Sequence, residues 1–312
     1  MYALRTSGRT ANNYGSGMAF TSVEQTNSAL ASTGYLVDTN LAMSVFLAQT
    51  LGKPILLEGP AGTGKTELAK AVAEISGAEL VRLQCYEGLD EARALYEWNY
   101  RKQLLRIQST QTTGGSDSTS AEWSELHDDI FSEEFLLERP LLRAIRSERP
   151  VVLLIDEIDK ADVEVEGLLL EVLSDFQVTI PELGTVTAAT HPYVVLTSNA
   201  TRELSEALKR RCLYSHVGYP EQEREIAIVL ARVPTFNSDL AKSIVRAINA
   251  MRDLDLRKRP SVAETIDWAQ ALQSLGVTEL SEETIDLTLG VVLKHVSDQH
   301  KVSDMLGLGK KT

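Results

Sequence analysis

The chain reads Gly59-Pro60-Ala61-Gly62-Thr63-Gly64-Lys65-Thr66 at residues 59–66, which matches the pattern G-x-x-x-x-G-K-[ST]. A short apolar run, Ile55 to Leu57, precedes it, and a segment with helical spacing begins near Glu67. A strand, a glycine-rich turn and a helix in this order predict a phosphate-binding loop (P-loop), because glycines let backbone amides curl around an anion and the helix N-terminus adds positive potential. Lys65 is expected to reach the β- and γ-phosphates and Thr66 to hold Mg²⁺ through its hydroxyl. A chance glycine turn is the alternative, at about one in a hundred for such a chain before the strand-helix context is required.

A second motif follows another apolar run, Val151 to Ile155, which ends in Asp156 and Glu157. Acids at this point lie at the sheet edge where a P-loop presents phosphates, as in a Walker B motif. We predict that Asp156 binds Mg²⁺ and that Glu157 orients and polarises the water that attacks the γ-phosphate. Acids after a strand otherwise often cap a helix, an alternative that the upstream P-loop makes rare.

Three further apolar runs predict strands at Leu80 to Leu83, Tyr193 to Leu196 and Leu213 to Val217. Together with the two runs above, and alternating with amphipathic segments, they indicate an α/β fold with a five-stranded parallel sheet that carries helices on both faces. Gln177 to Ile180 and Thr185 to Thr187 flank a turn and predict a β-hairpin.

The pattern becomes purely helical after Tyr219-Pro220, with helices predicted at about 221–233, 238–254, 261–275 and 281–295. We therefore divide the chain into a flexible tail (1–32), a nucleotide-binding domain (33–219) and a helical lid (220–312). The polar stretch Ser109 to Ser120 predicts a mobile loop, and the Gly/Lys-rich end from Leu306 predicts a frayed terminus.

Composition restricts the partners and the compartment. The formal net charge of −13 disfavours nucleic acid, because affinity for a phosphate backbone comes mainly from Lys and Arg. No apolar stretch approaches membrane-spanning length, so we expect no membrane span. Cys85 and Cys212 are expected to be inert buried thiols. The first thirty residues fit either a targeting peptide or a flexible tail, and we expect a cytoplasmic protein.

Four stretches of the sequence go beyond the generic P-loop pattern. They are Leu83-Gln84-Cys85-Tyr86-Glu87-Gly88-Leu89-Asp90, Ala94-Leu95-Tyr96-Glu97-Trp98-Asn99-Tyr100, Leu136-Leu137-Glu138-Arg139-Pro140-Leu141-Leu142 and Glu171-Val172-Leu173-Ser174-Asp175-Phe176-Gln177-Val178-Thr179-Ile180. Together they resemble the MoxR family of AAA+ ATPases, and within it the CoxD type associated with maturation of carbon monoxide dehydrogenase and related molybdenum hydroxylases. The resemblance runs from about Gly34 to about Leu293.

The resemblance implies an ATP-hydrolysing AAA+ core with a helix-2 insert at residues 96–130, a hairpin before sensor 1 at Gln177 to Thr187, and a helical lid. It also implies ATP and Mg²⁺ as cofactors and a homo-hexameric ring. The expected partners are a protein with a von Willebrand factor A domain and a target metalloenzyme, such as a molybdenum hydroxylase, whose metal centre is inserted or activated.

The resemblance further assigns two site residues. Asn199, after the fourth main strand, looks like the sensor-1 residue, although an Asn there alone would more often form a turn. Arg211 looks like the arginine finger that reaches a neighbour's nucleotide, with Arg210 as the reserve. The alternative for Arg210 and Arg211 is that these basic residues only complement the C-terminus of a helix.

Where many relatives carry a sensor-2 arginine, this chain has Ala263 and Glu264. Arg257, Lys258 or Arg259 just upstream are possible substitutes, and sensor 2 stays unassigned.

Two points of function stay open at the level of sequence. The alternating rings of Tyr96, Trp98 and Tyr100 fit either a contact with a partner protein or packing against the domain itself. Alternatives to a maturation ATPase are a nucleic-acid motor, which the net charge disfavours, and a nucleotide-gated scaffold.

Overall fold

The computed structural model describes residues 20–113 and 129–306. Its strands, in chain order, are β1 Ile55–Glu58, β2 Glu79–Gln84, β3 Tyr96–Trp98, β4 Leu136–Glu138, β5 Val151–Asp156, β6 Gln177–Ile180, β7 Gly184–Thr187, β8 Tyr193–Ser198 and β9 Leu213–His216. Five of them form one sheet in the order β2-β5-β8-β1-β9, and every pair in it is parallel. The predicted five-stranded parallel sheet is confirmed.

The sheet is covered on both faces because successive side chains of a strand point to opposite sides. In β5, Leu153 and Ile155 join one core cluster, whereas Val152 and Leu154 join the other. The helices are α1 Val23–Ser32, α2 Thr39–Leu51, α3 Lys65–Ser76, α4 Glu91–Ala94, α5 Tyr100–Thr113, α6 Pro140–Arg146, α7 Val163–Asp175, α8 Glu206–Arg211, α9 Gln222–Arg232, α10 Ser238–Arg252, α11 Val262–Ser274, α12 Glu282–Val292 and α13 Val296–Met305.

The prediction of a flexible tail over residues 1–32 is wrong for its second part. Residues 23–32 form α1, whose Leu30 is fully buried against the core that α2 and α3 share. Phe20 is also buried, and its backbone N–H donates to Gln49 Oε1 at 3.1 Å. Two apolar side chains therefore anchor a segment whose composition is mostly polar. Residues 1–19 lie outside the described part of the chain.

The insert predicted at residues 96–130 begins with β3, which α5 follows directly. β3 pairs antiparallel with β4, which lies beyond the predicted end of the insert. The mobile loop predicted over Ser109 to Ser120 is wrong for residues 109–113, which belong to α5, and residues 114–128 lie outside the described part. The three alternating rings do not form one group, because Tyr96 and Trp98 lie in β3 whereas Tyr100 starts α5 and is exposed. Trp98 is buried between Tyr96 and Phe131, with ring centroids 6.2 and 5.2 Å away, so it packs against the domain.

The predicted hairpin before β8 is confirmed. β6 pairs antiparallel with β7, from Gln177 opposite Thr187 to Ile180 opposite Gly184. Val178 and Ile180 are buried against the sheet's core, while Thr179 and Thr185 face outward. The hairpin is thus fixed to the core along one side.

Only helices follow β9 in the described residues, as predicted from Tyr219 onward. They enclose a separate core around Trp268, and we call this region, α9 to α13, the lid. The fifth helix of the lid, α13, was not predicted from the sequence. Among residues 20–113 and 129–306, no helix combines the length and apolar character needed to span a membrane.

Trp268 is the largest fully buried side chain in the described residues, and its indole N–H donates to Thr288 Oγ1 at 2.8 Å. We expect Trp268→Ala to lower the free energy of unfolding of the lid by about 3–5 kcal/mol, because it leaves a cavity in the core of the lid. Chemical denaturation followed by circular dichroism measures the change. Leu287→Ala is the matched control, since Leu287 is 79% exposed and its loss should cost less than about 0.5 kcal/mol. Equal losses in the two variants would contradict this view of the lid core.

Candidate nucleotide-binding site

Two glycines of the P-loop stand where a side chain would collide with a neighbouring segment. A Cβ on Gly59 would lie 2.1 Å from the carbonyl oxygen of Val217, just beyond β9. A Cβ on Gly62, whose φ is +75°, would lie 2.1 Å from Ser261 Oγ at the start of α11. The loop is therefore wedged between the sheet and the lid, and only glycine fits at these two positions.

Lys65 begins α3 and is 5% exposed. Its ammonium donates to the carbonyl oxygens of Gly59 at 2.8 Å and Pro60 at 2.7 Å, which folds the side chain over the loop. Burial lowers the pKa of Lys65, and nearby carboxylates, with Asp159 and Asp156 the strongest, act against that shift. The amine thus lies inside the loop, where a phosphate oxygen could replace a carbonyl as its acceptor.

Asp156, at the end of β5, lies beside the P-loop helix. Its Oδ1 accepts from Thr66 Oγ1 at 3.0 Å and from Thr197 Oγ1 at 2.6 Å, and its Oδ2 forms an ion pair with Arg82. A carboxylate and a hydroxyl in contact are oxygen ligands that Mg²⁺ prefers together with phosphate and water. The structure therefore brings together the two predicted Mg²⁺ ligands, and it adds Thr197 and Arg82, which the sequence analysis missed.

Glu157 is held in an unusual conformation next to Asp156. Its φ is +57°, in the left-handed region that a residue other than glycine rarely adopts, and its N–H donates to Thr197 Oγ1 at 2.9 Å. Oε1 accepts from Asn199 Nδ2 at 3.1 Å. Oε2 accepts from Gln84 Nε2 at 2.9 Å and from Lys160 Nζ at 2.6 Å. The predicted water-orienting acid and the predicted sensor residue are thus in direct contact.

The carboxylate of Asp159 fixes the backbone of Asn199 through a hydrogen bond. The carboxylate of Asp159 accepts from the N–H of Asn199 at 3.1 Å and from the N–H and hydroxyl of Thr201 at 3.1 and 2.6 Å. Burial on its own would raise the pKa of Asp159, but the hydrogen bonds from Thr201 and Asn199 outweigh it and lower the pKa. Asp159 thus stays ionised at neutral pH. By holding the backbone N–H of Asn199, it fixes the position from which the Asn199 side chain reaches Glu157.

The two candidate finger residues end α8, away from this cluster. Arg211 Nε donates to Ser174 Oγ at 2.5 Å and its Nη1 donates to the Ala207 carbonyl at 3.0 Å, while Arg210 is exposed. Neither belongs to the described residues that line the cavity at the P-loop of the same chain. The structure therefore does not place either arginine at the nucleotide site of its own subunit.

A cavity of about 490 Å³ opens beside the P-loop, between the sheet domain and the lid. Its apolar lining includes Tyr35 and Leu36 of the sheet domain and Ile228 and Ile266 of the lid. A flat heterocycle fits such a slot by stacking and apolar contact. Sequence reasoning missed this apolar lining, because segments roughly 190 to 230 residues apart in the chain build it.

The cations predicted as substitutes for sensor 2 lie elsewhere. Arg257, Lys258 and Arg259 are not among the described residues that line the cavity, and the N–H groups of the first two donate to Asp298. At the start of α11 the backbone N–H of Ala263 donates to the Gly62 carbonyl at 3.2 Å. The third lid helix therefore meets the P-loop through its backbone and offers no guanidinium there.

Residues 54–212 match the family model of the AAA domain, dynein-related subfamily. This chain belongs to that family. The AAA domain is an ATPase domain, and the donor set described above fits its cofactors: a glycine-built anion cradle, one buried ammonium group and a paired hydroxyl and carboxylate for Mg²⁺.

Relatives by sequence include uncharacterized proteins of staphylococci. One from Staphylococcus aureus is 30% identical over 176 residues, which cover 54% of this chain and 57% of that protein. One from Staphylococcus epidermidis is 25% identical over 232 residues, or 72% of this chain and 77% of that protein. The alignment to the first therefore spans little more than half of the relative's length.

Solved AAA structures are also similar to this chain. The Thermotoga maritima RuvB Holliday junction branch migration motor shares 16% identity, with a TM-score of 0.42 over 86% of this chain and 69% of the motor. A protein of Cytophaga hutchinsonii assigned as an ATPase shares 20% identity, with a TM-score of 0.45 over 73% of this chain and 62% of that protein.

Cys85 and Cys212 carry no chemistry in this arrangement. Both are buried and unbridged, and burial raises the pKa of each thiol to about 12. A thiol with so high a pKa is hardly ionised at neutral pH, so both are inert, as predicted.

Proposed function

We propose that this protein is a MoxR-type ATPase that hydrolyses ATP in the cytoplasm and uses the resulting movement to remodel or mature a target metalloenzyme. The observation that carries the hydrolytic part is the Glu157 carboxylate held by the amides of both Gln84 and Asn199. Asp156 and Thr66 stand beside it in mutual contact. A fixed carboxylate next to a Mg²⁺-binding pair is what water activation at a γ-phosphate requires.

Each residue has a distinct part in this reaction. Bound Mg-ATP supplies the scissile γ-phosphate and a divalent charge that neutralises developing negative charge. Lys65 and the loop amides hold the phosphates, while Thr66 and Asp156 hold the metal. Glu157 orients and polarises the attacking water, and Asn199 fixes the Glu157 carboxylate and donates toward the γ-phosphate or the water.

The finger is proposed to act between subunits of a homo-hexamer. Arg211 lies away from the cavity of its own chain, and it is held by a serine hydroxyl and a carbonyl rather than by a carboxylate. A guanidinium with only neutral partners can move to a neighbour's phosphate without leaving a buried anion unpaired. Ring size and the von Willebrand factor A domain partner are proposed from the resemblance to MoxR ATPases.

The insert and the hairpin are the parts proposed to act on the target. Helix α5 of the insert exposes Tyr100, Leu104 and Leu105, and apolar side chains exposed together can contact another protein. Loss of the γ-phosphate would release the contact between neighbouring subunits and let the lid rotate against the sheet domain. The insert would then pull or bend a bound protein.

A pull-down with Glu157→Gln tests this function. In ATP we expect the variant to retain a von Willebrand factor A domain protein and a metalloenzyme, and to release both in ADP. Lys65→Ala is the control and should retain neither. Retention that nuclease treatment abolishes, together with ATPase stimulation by DNA that weakens with salt, would instead indicate a nucleic-acid motor. Full target activation by Glu157→Gln would indicate a scaffold that needs only ATP binding.

A further inference from the structure

Helix α9 forms the lid wall of the nucleotide cavity. Arg224, Ile228 and Arg232 are spaced by four residues, so they share one face of the helix, and all three line the cavity. The third lid helix contributes Val262, Ala263 and Ile266 to the same cavity. Among the described lid residues that line it, the cations are therefore Arg224 and Arg232.

Arg232 has a partner that it can leave. Its Nη2 lies 3.1 Å from Glu67 Oε2, in the first turn of α3 directly after Thr66. The other oxygen of Glu67 lies 2.5 Å from Lys70 Nζ, so Glu67 keeps a cation when Arg232 departs. The side chains of Arg232 and Glu67 are 37% and 36% exposed, and ion pairs this exposed are weak.

Arg224 pairs with a carboxylate that also caps a helix of the sheet domain. Its Nη1 lies 2.7 Å from Asp38 Oδ2, and Asp38 Oδ1 accepts from the N–H of Leu41, which caps the start of α2. Asp38 is thus already committed to the sheet domain, and Arg224 anchors the lid to it. This ion pair connects α9, which carries Arg232, to the sheet domain beside the cavity.

We propose that Arg232 is the lid residue that contacts the phosphates of bound nucleotide, exchanging Glu67 for a phosphate oxygen, and that Arg224 is a positioning residue for it. A guanidinium suits this exchange, because its planar donors match phosphate oxygens better than one carboxylate oxygen at 3.1 Å. The proposal rests on the proposed function, since it supposes that the cavity takes a nucleoside triphosphate. In this proposal, α9 supplies the phosphate-binding cation of the lid, because α11 has no arginine at the sensor-2 position.

A double-mutant cycle on the full chain tests this exchange, with ATP affinity measured by calorimetry in Mg²⁺. We expect Arg232→Gln to weaken ATP binding about tenfold, because a charge-assisted phosphate contact is lost. Glu67→Gln should tighten ATP binding, because it removes the competitor for Arg232. In the Arg232→Gln background that gain should disappear. Arg246→Gln, an exposed lid arginine on α10 that does not line the cavity, is the matched control and should bind ATP as wild type does.

The affinity for adenosine, measured by competition, shows whether Arg232 contacts the phosphates or only holds the lid against the sheet domain. Arg232→Gln should leave the affinity for adenosine unchanged, since adenosine has no phosphate. If Arg232 only clamps the lid, Arg232→Gln and Glu67→Gln will both weaken ATP and adenosine, and the proposal is overturned. It is also overturned if Arg232→Gln binds ATP like wild type. Absence of ATP binding by the wild-type protein would instead remove the proposed function itself.

Discussion

Glu157→Gln is expected to lower the rate of ATP hydrolysis by a factor of about 10²–10⁴ while ATP binding is retained. The amide keeps the shape of the side chain and one acceptor oxygen, which can accept from either Gln84 or Asn199, but it cannot accept the proton of the attacking water. Single-turnover hydrolysis measures the rate, and nucleotide titration measures the affinity.

A matched control for this prediction lies seven residues further along the chain. Glu164→Gln, an exposed acid at the start of α7, removes the same charge outside the site and should leave turnover unchanged. Equal turnover in Glu157→Gln and wild type would show that another group positions the water. A loss of ATP binding as large as the loss of rate would show that Glu157 holds the nucleotide or its metal instead.

Arg211→Ala is expected to lower turnover by about 10³–10⁵, the range in which an arginine finger contributes to phosphoryl transfer. Because the finger is proposed to act on the next subunit, the defect should be rescued in part by mixing with Lys65→Ala subunits. Each variant supplies the part that the other lacks, and about a quarter of the interfaces in a randomly mixed ring would be intact. ATPase activity against mixing ratio measures the rescue.

Two variants of the same helix complete this test. Lys209→Ala, next to the candidate fingers and paired with Glu203 at 3.4 Å, should keep wild-type turnover. If Arg210→Ala rather than Arg211→Ala abolishes turnover, the finger is Arg210, which is exposed at the end of α8. A defect in Arg211→Ala that mixing never rescues would place the finger's action within its own subunit.

The sheet and the phosphate site could be predicted from sequence because their signals are local. Apolar runs mark buried parallel strands, and the P-loop and the acids after Ile155 are each continuous in the chain. Asn199 needed the family resemblance as well, since an Asn after a strand has several roles. Its contact with Glu157 depends on β5 and β8 being neighbours in the sheet.

The rest of the site depends on contacts between distant segments, which a single sequence does not reveal. Gln84 lies in a stretch that resembles the MoxR family, but no motif gave it a role, and only the pairing of β2 with β5 brings it to Glu157. Arg232 looks like an ordinary basic residue at a helix C-terminus. Helix α1 was missed because burial of Leu30 and Phe20 outweighs a polar composition that on its own indicates a flexible tail.

The most direct test of the account is calorimetric titration of the purified protein with Mg-ATP, beside Lys65→Ala. The wild-type protein should bind one ATP per chain, and the variant should lose most of the affinity, because the buried ammonium is the cation inside the P-loop. No binding to the wild-type protein, or equal binding to both, would contradict the assignment of this cavity as a nucleotide site.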